Sequence, residues 1–101
     1  MHDVIERNKT AIAEVCRKHG VRRLDVFGSG ARGIDFDPAR SDVDFIVEYD
    51  ERVPTLSGFF ALRDALSNLL GRRVDLVSLQ GLTNPYVKAD IERSREQVYA
   101  A

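Results

Sequence analysis

The chain has 101 residues, 44% of them hydrophobic and 31% charged, with a formal net charge of -1. That length supports one hydrophobic core, so residues 1–101 are expected to form a single domain with no internal boundary. The balanced charge excludes the broad basic footprint of a direct nucleic-acid binder, and no apolar run approaches the roughly 18 residues that span a bilayer.

The opening residues, Met1-His2-Asp3-Val4-Ile5-Glu6-Arg7, lack the basic-then-apolar order of a secretory signal, and a soluble cytoplasmic protein is expected. Asp3 and Glu6 have the spacing of a capping box. Ile5, Ile12, Val15 and Cys16 then share one stripe that ends before Gly20, which predicts an amphipathic helix. Cys16, the only cysteine, lies on that stripe and has no partner for an internal disulfide, so it reads as a core residue in a reducing compartment.

Leu24 to Phe27 is β-prone and runs into Gly28-Ser29-Gly30-Ala31-Arg32-Gly33, where three glycines permit a tight turn and leave room for a helical one. Residues 34 to 41 show no periodicity and read as a flexible connector. Strand character returns from Val43 to Tyr49. Leu56, Phe59, Leu62, Leu66, Leu69 and Leu70 line one broad helix face that stops at Gly71. Val74 to Leu79 makes a third strand, and Asn84-Pro85 caps a final helix predicted to reach about Tyr99. The expected fold is α/β (α+β): a small three-stranded mixed sheet flanked by helices in the order αβ(α)βαβα.

Three acids occupy telling positions in this plan. Successive strand side chains alternate faces, so Asp42 and Asp44 point the same way with α-carbons about 7 Å apart. Two carboxylates at the mouth of the buried run Phe45-Ile46-Val47 require a cation to neutralise them. A short antiparallel connection puts Gly28-Ser29 beside them, and a parallel crossover through the long helix brings Asp75 to the same sheet edge. Carboxylate-rich ligation without a Cys/His cluster suits two Mg2+ ions, with Mn2+ as a substitute, rather than structural zinc. Two such ions stabilise the attacking and leaving oxygens of a phosphoryl displacement. Gly28 permits close approach of a triphosphate, the Ser29 hydroxyl and nearby N–H groups grip its oxygens, and Arg32 offers a bidentate phosphate contact. His2, His19, Tyr49, Tyr86 and Tyr99 read as surface or edge-packing residues, and Asp35 and Asp37 as solvated.

Gly28-Ser29, Asp42-Val43-Asp44 and Asp75 together resemble the signature of the polymerase-β-like nucleotidyltransferase superfamily. Phe27 to Gly33 with Ser41 to Val47 is similar to its minimal nucleotidyltransferase family, which includes MntA-like antitoxins paired with HEPN ribonuclease toxins. The resemblance covers nearly the whole chain. It implies Asp42, Asp44 and Asp75 as catalytic metal ligands and Gly28 and Ser29 as nucleotide-binding residues, to which the turn itself adds Arg32 as a secondary contact. It also implies transfer of AMP from ATP to a tyrosine of a HEPN toxin that is both substrate and complex partner, with release of pyrophosphate. Positions 30 through 41 place twelve residues between Ser29 and Asp42, two more than the family usually has. Two alternatives stay open: an inhibitor that only binds a HEPN toxin, and a nucleotidyltransferase acting on a small molecule.

Overall fold

The computed structural model describes residues 2–28, 43–50 and 54–101. The first helical region is two helices, α1 (Asp3–Arg7) and α2 (Lys9–Lys18), with Asn8 between them. The N-cap of α1 is His2, whose Nδ1 accepts a hydrogen bond from the Val4 amide at 3.2 Å, so the cap lies one residue ahead of the predicted Asp3. Then follow β1 (Val21–Phe27), β2 (Val43–Tyr49), α3 (Leu56–Leu70), β3 (Val74–Ser78), a 3-10 turn (Leu79–Gly81), α4 (Pro85–Ser94) and β4 (Glu96–Ala100).

Among the described residues the sheet is mixed, as expected, but has four strands rather than three, in the order β3-β2-β1-β4. β1 is antiparallel to both β2 and β4, and β2 is parallel to β3. The final helix therefore ends at Ser94 rather than near Tyr99. Arg95 leaves helical geometry at φ -68°, ψ 137°, and the next five residues pair along β1. The predicted helical turn near Gly30 to Gly33 and the connector over 34 to 41 lie outside the described residues.

Alternation gives the sheet two unlike faces. Leu24, Val26, Val43, Phe45, Val47, Tyr49, Val74, Leu76 and Val98 pack with residues of α1, α2 and α3, including Ile5, Ile12, Cys16, Leu62 and Leu66, into one core. Thr55 caps α3 by accepting from the Gly58 amide at 3.0 Å, and Gly71 closes it at φ 66°. Phe59 is partly buried against this core, whereas Phe60 is 40% exposed with the Arg63 guanidinium 4.7 Å from its ring centroid. The second face carries Asp25, Asp44, Ile46, Glu48 and Asp75 by the same alternation. Arg95 reaches Asp25 and Glu48, which places the end of α4 over this face. Among the described residues no helix is long and apolar enough to cross a membrane.

Candidate functional site

Strand register brings three of the predicted positions, Gly28, Asp44 and Asp75, to one end of the sheet. Phe27 is the partner of Asp44 in the antiparallel β1–β2 pair, and Asp44 is the partner of Asp75 in the parallel β2–β3 pair. Neighbouring strands lie about 4.8 Å apart and register partners present side chains to one face. Asp44 is half-buried and Asp75 exposed. Among the described residues Asp75 enters no ion pair with an arginine or lysine. Gly28 follows Phe27 with φ 69°, a left-handed conformation that glycine adopts without strain. A β-carbon at Gly28 would stand 3.1 Å from Asp44 Oδ2, so the backbone passes close beside the carboxylate.

Ser29, Arg32 and Asp42 lie outside the described residues. Chain connectivity alone sets Ser29 next to Gly28 and Asp42 next to Val43. Among the described residues no group of three or more His, Cys, Asp or Glu is assembled for a metal. Asp44 and Asp75 supply two. Their chemistry fits a hard cation: carboxylate oxygens on adjacent strands, facing one side, with a glycine leaving space above. The Gly28 amide is not available for a phosphate, because it donates to Ser94 Oγ at 3.1 Å.

The second face also holds an ion cluster that sequence reasoning missed. Asp25 is fully buried and accepts from Arg23 Nε at 2.9 Å and Arg95 Nε at 2.6 Å. Arg95, only 10% exposed, also donates to Glu92 at 2.7 Å and Glu48 at 3.4 Å. Burial pulls the Arg95 guanidinium down, and its hydrogen bonds to Asp25 and Glu92 more than reverse this, holding it firmly charged. A carboxylate between Leu24 and Val26, with no local partner at helical spacing, was the one available clue. The cluster stands two residues from Phe27 and anchors the strand that delivers Gly28.

Among the described residues, two clefts lie at the other end of the sheet. One, of about 290 Å³, is lined by Lys18, His19, Tyr49 and Thr55 among others. The second, of about 430 Å³, lies between Leu56, Phe59 and Gln80. Tyr49 and Ser78 close β2 and β3, whereas Asp44 and Asp75 sit near the starts of those strands, so neither cleft belongs to the carboxylate site. Tyr49 is buried in the core, and Tyr86 is 85% exposed rather than edge-packed.

Residues 9–98 match the family model described as a nucleotidyltransferase domain. The protein adenylyltransferase MntA of Thermococcus cleftensis is 41% identical over 86 residues, which cover 85% of this chain and 81% of that protein. A solved minimal nucleotidyltransferase structure superimposes with a TM-score of 0.77 at 36% identity, covering 95% of each chain. A complex of tri-AMPylated Shewanella oneidensis HEPN toxin with MNT antitoxin aligns with a TM-score of 0.70 at 18% identity, covering 96% of this chain and 73% of that one. At that identity the last likeness speaks for the fold alone.

Proposed function

Because the chain belongs to the nucleotidyltransferase domain family and is an enzyme of that class, we propose that it acts as an antitoxin, moving AMP from ATP onto a tyrosine of a cognate HEPN ribonuclease toxin. The observation that carries this reading is the register pairing of Asp44 with Asp75 beside the close-approaching Gly28. The MntA relative is named a protein adenylyltransferase, and a structural neighbour contains an AMPylated HEPN toxin. The first supports the choice of a protein acceptor, and the second supports the fold that would present it.

In this reading Asp42, Asp44 and Asp75 would hold two Mg2+ ions, Ser29 and Arg32 would grip the phosphates, and Gly28 would give the triphosphate room. When bound, the ions withdraw charge from the phosphates and make the acceptor hydroxyl more acidic. The tyrosine oxygen attacks the α-phosphorus as its proton passes to solvent water. The bond to the β-phosphate bridging oxygen breaks, and that oxygen leaves with pyrophosphate. Asp75 is exposed beside Asp44, where an acceptor from another chain can reach it. The domain has a compact transfer core, and a partner protein presents the substrate hydroxyl.

The test is to incubate the chain with its adjacent-gene HEPN partner, ATP and magnesium, and to weigh the intact partner. An adenylyl increment that disappears with Asp44→Asn is expected. Tight association with an unmodified partner sinks the enzymatic reading in favour of inhibition by binding, and modification of a small hydroxylated compound instead would change the acceptor class.

A further inference from the structure

We propose that Ser94 is a positioning residue for the nucleotide-binding turn, acting through the Gly28 amide; this rests on the reading of that turn given above. Gly28 lies two residues beyond Val26, whose partner Glu96 is the first residue of β4. The ladder has ended there, and a strand amide so placed would lack a partner from β4. The Ser94 side chain supplies one: its Oγ accepts from the Gly28 amide at 3.1 Å and faces the Asp90 carbonyl at 3.5 Å. The hydroxyl thus points its proton back along α4 and its lone pair at the turn. Sixty-six positions separate the two residues in sequence, so the bond ties the C-terminal helix directly to the candidate site.

The rest of α4 explains why this bond holds. From Pro85 to Asp90 the helix is exposed, and it is seated by Ile91, 3% exposed, and by Arg95 in its cluster with Asp25. Ser94 lies between these two anchors and has little freedom of its own. Gly28 has the most conformational freedom of any residue type, with nothing in its own side chain to restrict it. Its φ of 69° also sets the 3.1 Å separation between a β-carbon position and Asp44 Oδ2. Ser94 therefore fixes the angle at which the chain leaves β1 past the carboxylate, a distinct task from touching substrate.

Ser94→Ala and Ser94→Thr, made in the full chain, test this. Three readouts are needed: amide exchange at Gly28, the KM for ATP and kcat of transfer, and thermal melting. Loss of one such bond should speed Gly28 exchange and raise the ATP KM, each by about fivefold. kcat should change by less than about twofold, and Thr should restore both quantities because it keeps the hydroxyl. Unchanged Gly28 exchange in Ser94→Ala overturns the tether. Faster exchange with an unchanged KM overturns the positioning role, as does a KM rise that Thr does not reverse and that follows the loss of melting temperature. A wild-type chain that transfers nothing overturns the functional reading, and the Gly28 exchange rate, which needs no activity, separates that failure from a failure of the tether.

Discussion

Gly28 and Asp44 meet across the β1–β2 ladder so closely that a methyl group would require the Asp44 carboxylate to give by a few tenths of an ångström, since a β-carbon on Gly28 would lie 3.1 Å from Asp44 Oδ2. Gly71 has nearly the same backbone, φ 66° against 69°, but nothing within 4 Å of its β-carbon position. The pair separates strain from crowding. Gly28→Ala and Gly71→Ala should each lose about 1 to 2 kcal/mol in urea denaturation from the positive φ alone. Gly28→Ala should also lose transfer activity by at least about tenfold as Asp44 is pushed aside. Equal activity in the two variants would show that the contact with Asp44 is incidental.

Asp44 and Asp75 are register partners on adjacent parallel strands, and like charges placed directly opposite one another repel. In magnesium-free buffer, Asp75→Asn should leave the fold intact and raise stability by a few tenths of a kcal/mol, up to about 1. Magnesium should raise the melting temperature of the wild type, because a ligand that binds only the folded state stabilises it. It should do so much less in Asp44→Asn or Asp75→Asn. Melting curves with EDTA and with millimolar magnesium decide this, and an identical shift in all three proteins would place the cation elsewhere.

The parts legible in the sequence were those whose physics is local. Asn84-Pro85 reads as a helix start because the Asn84 side chain needs only the amides of Tyr86 and Val87, 2.9 and 3.3 Å away. Gly71 reads as a stop for the same kind of reason. The alternation that put Asp44 on the site face is a property of one strand, and the crossover that brought Asp75 alongside follows from the length of α3. β4 was missed because Glu96 to Ala100 gains its order from pairing with Arg23, Leu24, Asp25 and Val26, some 70 residues earlier. The Asp25 cluster was missed for the same reason: Arg95 and Asp25 are strangers in sequence and adjacent only after the sheet forms. Ser94 likewise had no signal until the end of α4 was placed beside Gly28.

That cluster makes a separate prediction about stability. Asp25 is fully buried and shared by Arg23 and Arg95. Removing its charge leaves a guanidinium that is 10% exposed with only Glu92 and the longer contact to Glu48. Asp25→Asn should cost about 3 kcal/mol by chemical denaturation. Asp3 and Arg7 form an exposed pair at 3.1 Å, and Asp3→Asn should stay within about 0.5 kcal/mol of wild type. Comparable losses from the two substitutions would mean that burial does not govern these pairs.

Cys16 should lower the stability of the fold at alkaline pH. Its side chain has no exposed surface, and burial pushes the thiol from 9.0 up to about 12, against a smaller opposing pull from Arg17. Between those values the unfolded chain has released the proton and the folded chain still holds it, so the native state binds more protons and stability falls as pH rises. Below pH 9 both states are protonated at this group, and it contributes no slope. One retained proton gives a loss of at most about 1.4 kcal/mol per pH unit across the window. Burial, with Cys16 nearby, raises the Tyr49 hydroxyl as well, which adds to the fall above its ordinary value of 10.0. Urea midpoints measured from pH 8 to pH 11 should therefore be level at first and then decline. Cys16→Ala should remove the earliest part of the decline and leave the later part to Tyr49. In native buffer at pH 8 a thiol-alkylating reagent should label Cys16 only as fast as the core opens, and at once in denaturant. Rapid labelling of the folded protein would mean that the thiol is exposed and that its proton does not cause the alkaline decline.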